Sequence, residues 1–224
     1  MRWVFVSGIL GIAIILASSM MWFGHERFQS SANELASTNE SSSANDLAGL
    51  TPAAGSGKAS IGGDFTLTDQ NGNIVHSADL KGKFVLIAFG FTFCPDVCPT
   101  TLSTMTQALN TIGDLSNMVQ PVFVSVDPER DTPAVLKAYA SGFHPRLLAL
   151  SGTQEQTREV TDAYKVYYQS HKESPTDTNY LVDHSSFIYL MGPNGEYITH
   201  FAYSMPASEM SVRLTEILQG DNAY

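Results

Sequence analysis

Eight residues with no polar side chain among them, FVLIAFGF at positions 84–91, run directly into Thr92-Phe93-Cys94-Pro95-Asp96-Val97-Cys98-Pro99. A strand that lacks polar alternation is buried on both faces, as in the middle of a sheet covered by helices on each side. Proline favours the first helical position and pushes the residue before it out of helical geometry. A helix is therefore predicted from Pro99, with Cys98 at its N-cap and Leu102, Met105, Leu109 and Ile112 as its buried stripe. Both cysteines of the chain thus lie between the carboxyl end of a central strand and the start of a helix. That is the crevice where open α/β sheets bind ligands.

The remaining punctuation builds outward from this unit. PVFVSV at 121–126 reads as a second buried strand, so strand, helix and strand make a right-handed parallel βαβ unit. Thr132-Pro133 opens a helix running to about Ala140, residues 147–150 make a short strand, and residues 154–167 a further helix. Residues 64–75 form a hairpin around Asp69-Gln70-Asn71-Gly72. A second hairpin joins 187–191 to 197–203 across Gly192-Pro193-Asn194-Gly195. A closing helix spans 208–218, with Gly220 just beyond it. A central βαβ unit followed by a β-hairpin and a last helix is the thioredoxin-like topology. Here it carries an N-terminal hairpin and a long insertion before the second hairpin.

The 224-residue chain has a net charge of −10 and no basic cluster, which excludes nucleic acid as a partner. Two cysteines do not make a disulfide framework. A bond between them would close a loop of about five residues, for which the chain-entropy return is only about 2 kcal/mol. Their presence is better explained by chemistry than by stapling.

Residues 3–23 are almost uninterrupted apolar sequence with no charge. As a helix they would extend about 31 Å, the thickness of a bilayer core. Arg2 before them places the N-terminus in the cytoplasm and the remainder outside it, in a periplasmic or equivalent compartment. A cleaved signal peptide is the alternative, since Ala17-Ser18-Ser19 resembles a cleavage site. The apolar run nevertheless continues through Met20-Met21-Trp22-Phe23, which favours a retained anchor. Ser, Ala, Asn, Gly and Thr dominate the next thirty or so positions, a composition that cannot build a core. The expected organisation is a membrane anchor over residues 1–28, a flexible linker over 29–60 and a thioredoxin-like domain over 61–224.

A helix start favours thiolate, so Cys98 is expected to have a lowered pKa. Thiol-disulfide oxidoreductases of this fold use Cys-x-x-Cys, whereas here three residues separate the cysteines and leave more room between the sulfurs. Asp183-His184-Ser185-Ser186 precedes the strand at 187–191, which in this topology runs antiparallel to the central one. His184 is therefore expected at the same sheet edge as Cys94 and Cys98. Oxidoreductases of this fold also place a proline just before that strand, and none occurs between Tyr180 and Ser186. Two thiolates and an imidazole form a soft donor set suited to Cu(I), and one that also binds Cu(II) tightly. Zinc is the competing metal, but the sequence places no general-base glutamate beside the site, and copper is preferred.

At these residues the chain resembles the Sco/SenC family of copper-binding cytochrome c oxidase assembly factors. The matching blocks are GGDFTLTDQNG (62–72), FTFCPDVCP (91–99), SVDPERDTP (125–133) and VDHSS (182–186). The resemblance implies a thioredoxin-like fold with Cys94, Cys98 and His184 as copper ligands. It further implies that copper is received from a donor protein. The role would be delivery of copper to, or thiol reduction of, the dinuclear copper site of oxidase subunit II or a related copper enzyme. The reading is thus a metallochaperone rather than an enzyme, with thiol-disulfide reductase as the alternative.

Other polar features have plainer expectations. Asp127-Pro128-Glu129-Arg130-Asp131 either forms a docking surface or, through Asp131 and Thr132, caps the following helix. Asp183 either orients the His184 ring or faces solvent. Met191, Met205 and Met210 are expected in the core, and His25, His76, His144, His171 and His200 at the surface.

Overall fold

The computed structural model describes residues 60–174 and 176–220. The expected anchor and nearly all of the linker lie outside these residues. Among the described residues, no helix is long and apolar enough to cross a membrane.

The chain runs β1 (Thr66–Asp69), β2 (Ile74–His76), β3 (Phe84–Gly90), α1 (Val97–Thr111), β4 (Val119–Ser125), α2 (Pro133–Ala140), β5 (Leu148–Ser151) and α3 (Gln154–Tyr164). It continues through β6 (Tyr168–Ser170), β7 (Val182–His184), β8 (Phe187–Met191), β9 (Tyr197–Ala202) and α4 (Ala207–Gln219). Seven strands form one sheet in the order β2-β1-β5-β4-β3-β8-β9, while β6 and β7 pair only with each other. β3 is parallel to β4 and antiparallel to β8. This is the thioredoxin-like arrangement anticipated from the sequence.

The continuous apolar run of β3 is explained by its two-sided burial. Val85, Ile87 and Phe89 enter one core layer together with Val160 and Tyr164 of α3. Leu86 and Ala88 point the other way, into a layer with Leu102, Met105 and Leu109 of α1, Leu136 of α2 and Met210 and Leu214 of α4. The alternation is present, but both faces are apolar because both are covered.

Local signals account for most boundaries. Thr132 caps α2 by accepting from the Val135 N–H at 3.4 Å, with Pro133 in the first turn. Thr153 and Gln156 form a reciprocal capping box at α3. α3 ends at Tyr164, three residues short of expectation. Lys165 adopts the left-handed conformation, and the Val166 N–H closes on the Thr161 carbonyl at 2.8 Å. The expected long insertion contains the separate β6–β7 ribbon, which had no clear signal in the sequence.

Candidate metal centre

β3 delivers the chain to the cysteine loop, and α1 begins there. The helix starts at Val97 with Asp96 as N-cap, two residues earlier than expected, so Cys98 is a helical residue in the first turn rather than the cap. Pro99 is tolerated behind it because N–H groups of the first turn have no helical acceptor to lose. The sulfur of Cys94 fills the cap's role, accepting from the Cys98 N–H at 3.4 Å.

This geometry reverses the expected acidity of the two thiols. Cys94 has its pKa lowered to about 5, above all by the hydrogen bond from the Cys98 thiol. The Cys98 and Asp96 backbone N–H groups and the charge of His184 add to this, and burial opposes it. Cys98 is pushed up, first by that same hydrogen bond to Cys94 and then by burial. The shared hydrogen bond therefore favours the thiolate form of Cys94 and disfavours that of Cys98. Both cysteines are free; Cys94 is half-buried and Cys98 is only 3% exposed.

Cys98 can be so deep because of Gly90 at the end of β3. A Cβ on Gly90 would lie 2.6 Å from the Cys98 sulfur and 3.0 Å from the Phe123 ring. A side chain there would occupy the space that the sulfur uses.

His184 approaches from the other side. It is the last residue of β7, with Nε2 3.2 Å from the Cys98 sulfur and Nδ1 3.0 Å from the Ser185 carbonyl oxygen. A carbonyl can only accept, so Nδ1 carries a proton and Nε2 is the ring nitrogen turned toward the sulfurs. The Phe91 ring meets the imidazole edge-on, with centroids 6.0 Å apart. Asp183 does not orient the ring. Its Oδ2 lies 2.8 Å from Nε2 of His171 on the exposed side of the ribbon.

The donor atoms of Cys94, Cys98 and His184 all lie within 4.8 Å of one another. Metal bonds of about 2.0–2.3 Å place the donors of a trigonal site roughly 3.5–4 Å apart, so small adjustments suffice to close the three around one ion. Two sulfurs, one of them favoured as the thiolate, and an imidazole nitrogen fit copper by softness and charge. Among the described residues this is the one cluster of three or more such side chains that converges in this way.

Within the DPERD segment two carboxylates turn inward while Glu129 is exposed, and the capping expected of Asp131 and Thr132 is made by Thr132. Asp127 and Asp131 are 4% and 0% exposed. Asp131 does not cap α2. Its carboxylate accepts from the Thr92 N–H at 3.1 Å, the Thr92 hydroxyl at 2.6 Å and the Ser125 hydroxyl at 2.6 Å. It thereby ties the cysteine loop to the end of β4, and burial raises its pKa despite these donors.

The other expectations divide. Met191 and Met210 are buried and Met205 is partly buried against the core. His76, His171 and His200 are exposed, but His144 is buried, with burial lowering its pKa and Nδ1 accepting from the Arg146 N–H. His25 lies outside the described residues.

Comparison with known proteins adds an independent line. The SCO1/SenC family pattern matches residues 53–219. A SCO2-like protein of Rickettsia felis is 46% identical over 161 residues, covering 72% of this chain and 77% of that one. The structure of Bradyrhizobium japonicum ScoI with copper bound superposes with a TM-score of 0.64 at 43% identity, covering 70% of this chain and 98% of that one. A further neighbour is BsSco, described as a member of the Sco family of cytochrome c oxidase assembly proteins in which a disulfide switch was identified. It has a TM-score of 0.56 at 25% identity and covers 71% of this chain and 94% of that one.

Proposed function

The chain belongs to the SCO1/SenC family, and from that premise we propose that it binds copper through Cys94, Cys98 and His184 in the service of cytochrome c oxidase assembly. The observation that carries this reading is the convergence of two sulfurs and one imidazole nitrogen within 4.8 Å at the sheet edge. Copper is the cargo. It enters from a donor protein and leaves for the dinuclear copper site of oxidase subunit II, or of a related copper enzyme, by stepwise exchange of ligands. The exposed side of the centre suits such an exchange. Cys94 and His184 are partly accessible while Cys98 lies beneath them, so a partner's ligands replace the outer two first. In this reading residues 1–28 anchor the chain with its N-terminus in the cytoplasm, and residues 29–60 tether the domain spanning 61–224 on the other side of the membrane.

The test is a copper titration of the full-length, fully reduced protein beside His184→Ala, followed by X-ray absorption. One copper per chain with sulfur and nitrogen neighbours, and loss of the nitrogen in the variant with affinity weakened on the order of 100-fold, supports the assignment. Binding indifferent to His184 removes it from the ligand set.

A second reading is favoured by one observation, the division of labour between the thiols. The thiolate of Cys94 would attack a partner disulfide, forming a mixed disulfide and releasing one partner thiolate. Cys98, giving up its proton, would then displace the second partner sulfur as a thiol, leaving a Cys94–Cys98 disulfide and a partner reduced by two electrons. Trapping a partner through Cys98→Ser in membranes supports this reaction; a variant that captures nothing there speaks against it.

A further inference from the structure

The two halves of the centre are supported unequally. Cys94 lies in the loop after β3 and Cys98 in the first turn of α1, inside the main architecture. His184 ends a three-residue strand whose only strand partner is the equally short β6. A two-stranded ribbon is marginal by itself, so something else must hold it at the correct distance from the sulfurs.

Arg130 is placed to do this. Its Nε donates to Asp127, and its Nη1 donates to the Tyr180 carbonyl at 2.8 Å and more weakly to the Thr178 carbonyl at 3.4 Å. The guanidinium carbon stands 3.6 Å from the centroid of the Tyr180 ring and 4.7 Å from that of Phe93. Tyr180 leads into β7, four residues before His184, and Phe93 precedes Cys94. One planar cation therefore touches both halves of the centre. Asp127 fixes it from beneath, because the Tyr180 hydroxyl also donates to Asp127 at 2.6 Å. The Arg130 side chain is only 10% exposed, which strengthens its contacts with the rings. Phe91, 5.7 Å from the same guanidinium, packs against the His184 ring itself.

We propose that Arg130 is a positioning residue for the metal centre, holding the ribbon that carries His184 against the loop that carries Cys94. The proposal rests on the copper-binding reading for its function but not for its geometry. A planar fork is needed, since the side chain must lie flat on Tyr180 while donating to both Asp127 and a ribbon carbonyl; a lysine does only part of this.

The test uses Arg130→Met, alone and combined with His184→Ala, in the reduced full chain. Without metal, amide hydrogen exchange at residues 182–184 should quicken by at least about ten-fold while the β3 and β4 amides stay protected. With copper, affinity should fall on the order of ten-fold and the nitrogen contribution to the absorption spectrum should weaken. In the His184→Ala background the same substitution should have no further effect on copper affinity, because it acts on the metal through the imidazole. Unchanged exchange, unchanged affinity, or an equal additional loss without His184 would each overturn the proposal. If near-ultraviolet circular dichroism shows that Arg130→Met is unfolded, Arg130→Lys, which keeps a charge beside Asp127, is held to the same outcomes. Should the wild-type protein bind no copper, the copper reading fails while the exchange experiment still decides whether Arg130 holds the ribbon.

Discussion

The cysteine loop and the histidine ribbon meet at one site but are built by different means. The loop hangs from a central strand that is buried on both faces. It is pinned from below by the fully buried Asp131, and it passes directly into a 15-residue helix. The ribbon consists of two three-residue strands outside that sheet, held by side chains instead of by a ladder shared with the core. The sulfurs are thus set by the main sheet and helix, whereas the imidazole is set by a local arrangement of the ribbon. A pair of sulfurs carried by the main sheet and a third donor carried by a separate ribbon divide the centre between two supports.

That contrast can be pressed hardest at the two thiols. In the reduced, metal-free protein at pH 7, Cys94 should alkylate at least about thirty-fold faster than Cys98. Its rate should follow the thiolate fraction, rising to half its plateau at about pH 5 as the lowered pKa requires. Mass spectrometry of singly labelled protein reads this, and equal labelling of the two would show that the loop does not separate them. The sign for stability follows. A thiol whose pKa is lowered on folding contributes stability that is full above its unfolded pKa and lost as pH falls through about 5.

Next in size is the support of the loop. Asp131→Ala leaves two hydroxyls and one N–H without their acceptor and should lower stability by about 3 kcal/mol in urea unfolding. The removal of a buried charge offsets part of the loss. Gly90→Ala forces a methyl group toward the Cys98 sulfur and should cost about 1–2 kcal/mol. It should also quicken Cys98 alkylation by displacing that sulfur outward; a neutral outcome would show that the pocket is looser than its distances indicate. Smallest is the outer side of the ribbon, where His171→Ala removes an exposed pairing with Asp183. It should shift stability by less than about 0.5 kcal/mol and leave copper affinity unchanged, and a large change there would make the ribbon more rigid than described.

The parts of the molecule legible in the sequence are those with local physical signatures. β3 and β4 announced themselves as apolar runs, and α2 was bounded correctly because Thr132-Pro133 states both its cap and its first turn. His184 was placed beside the cysteines by topology, since the strand after it had to run antiparallel to β3. What escaped was settled by tertiary contacts. The strands of the ribbon are too short to show a period, and Asp131 in a charged loop is indistinguishable from a solvated residue until its three donors are seen. The acidity of the thiols turned on a two-residue shift of a helix start, finer than a proline before a cap position can specify.

The sulfur of Cys94 closes the open end of α1 through the Cys98 N–H. Any event that claims that sulfur's electrons, whether an ion or a second sulfur, withdraws charge from the amide that leans on it. The resonance of that single amide in a nitrogen–proton spectrum is accordingly a gauge built into the backbone, distinguishing a free thiolate from a bonded one without any label at the site.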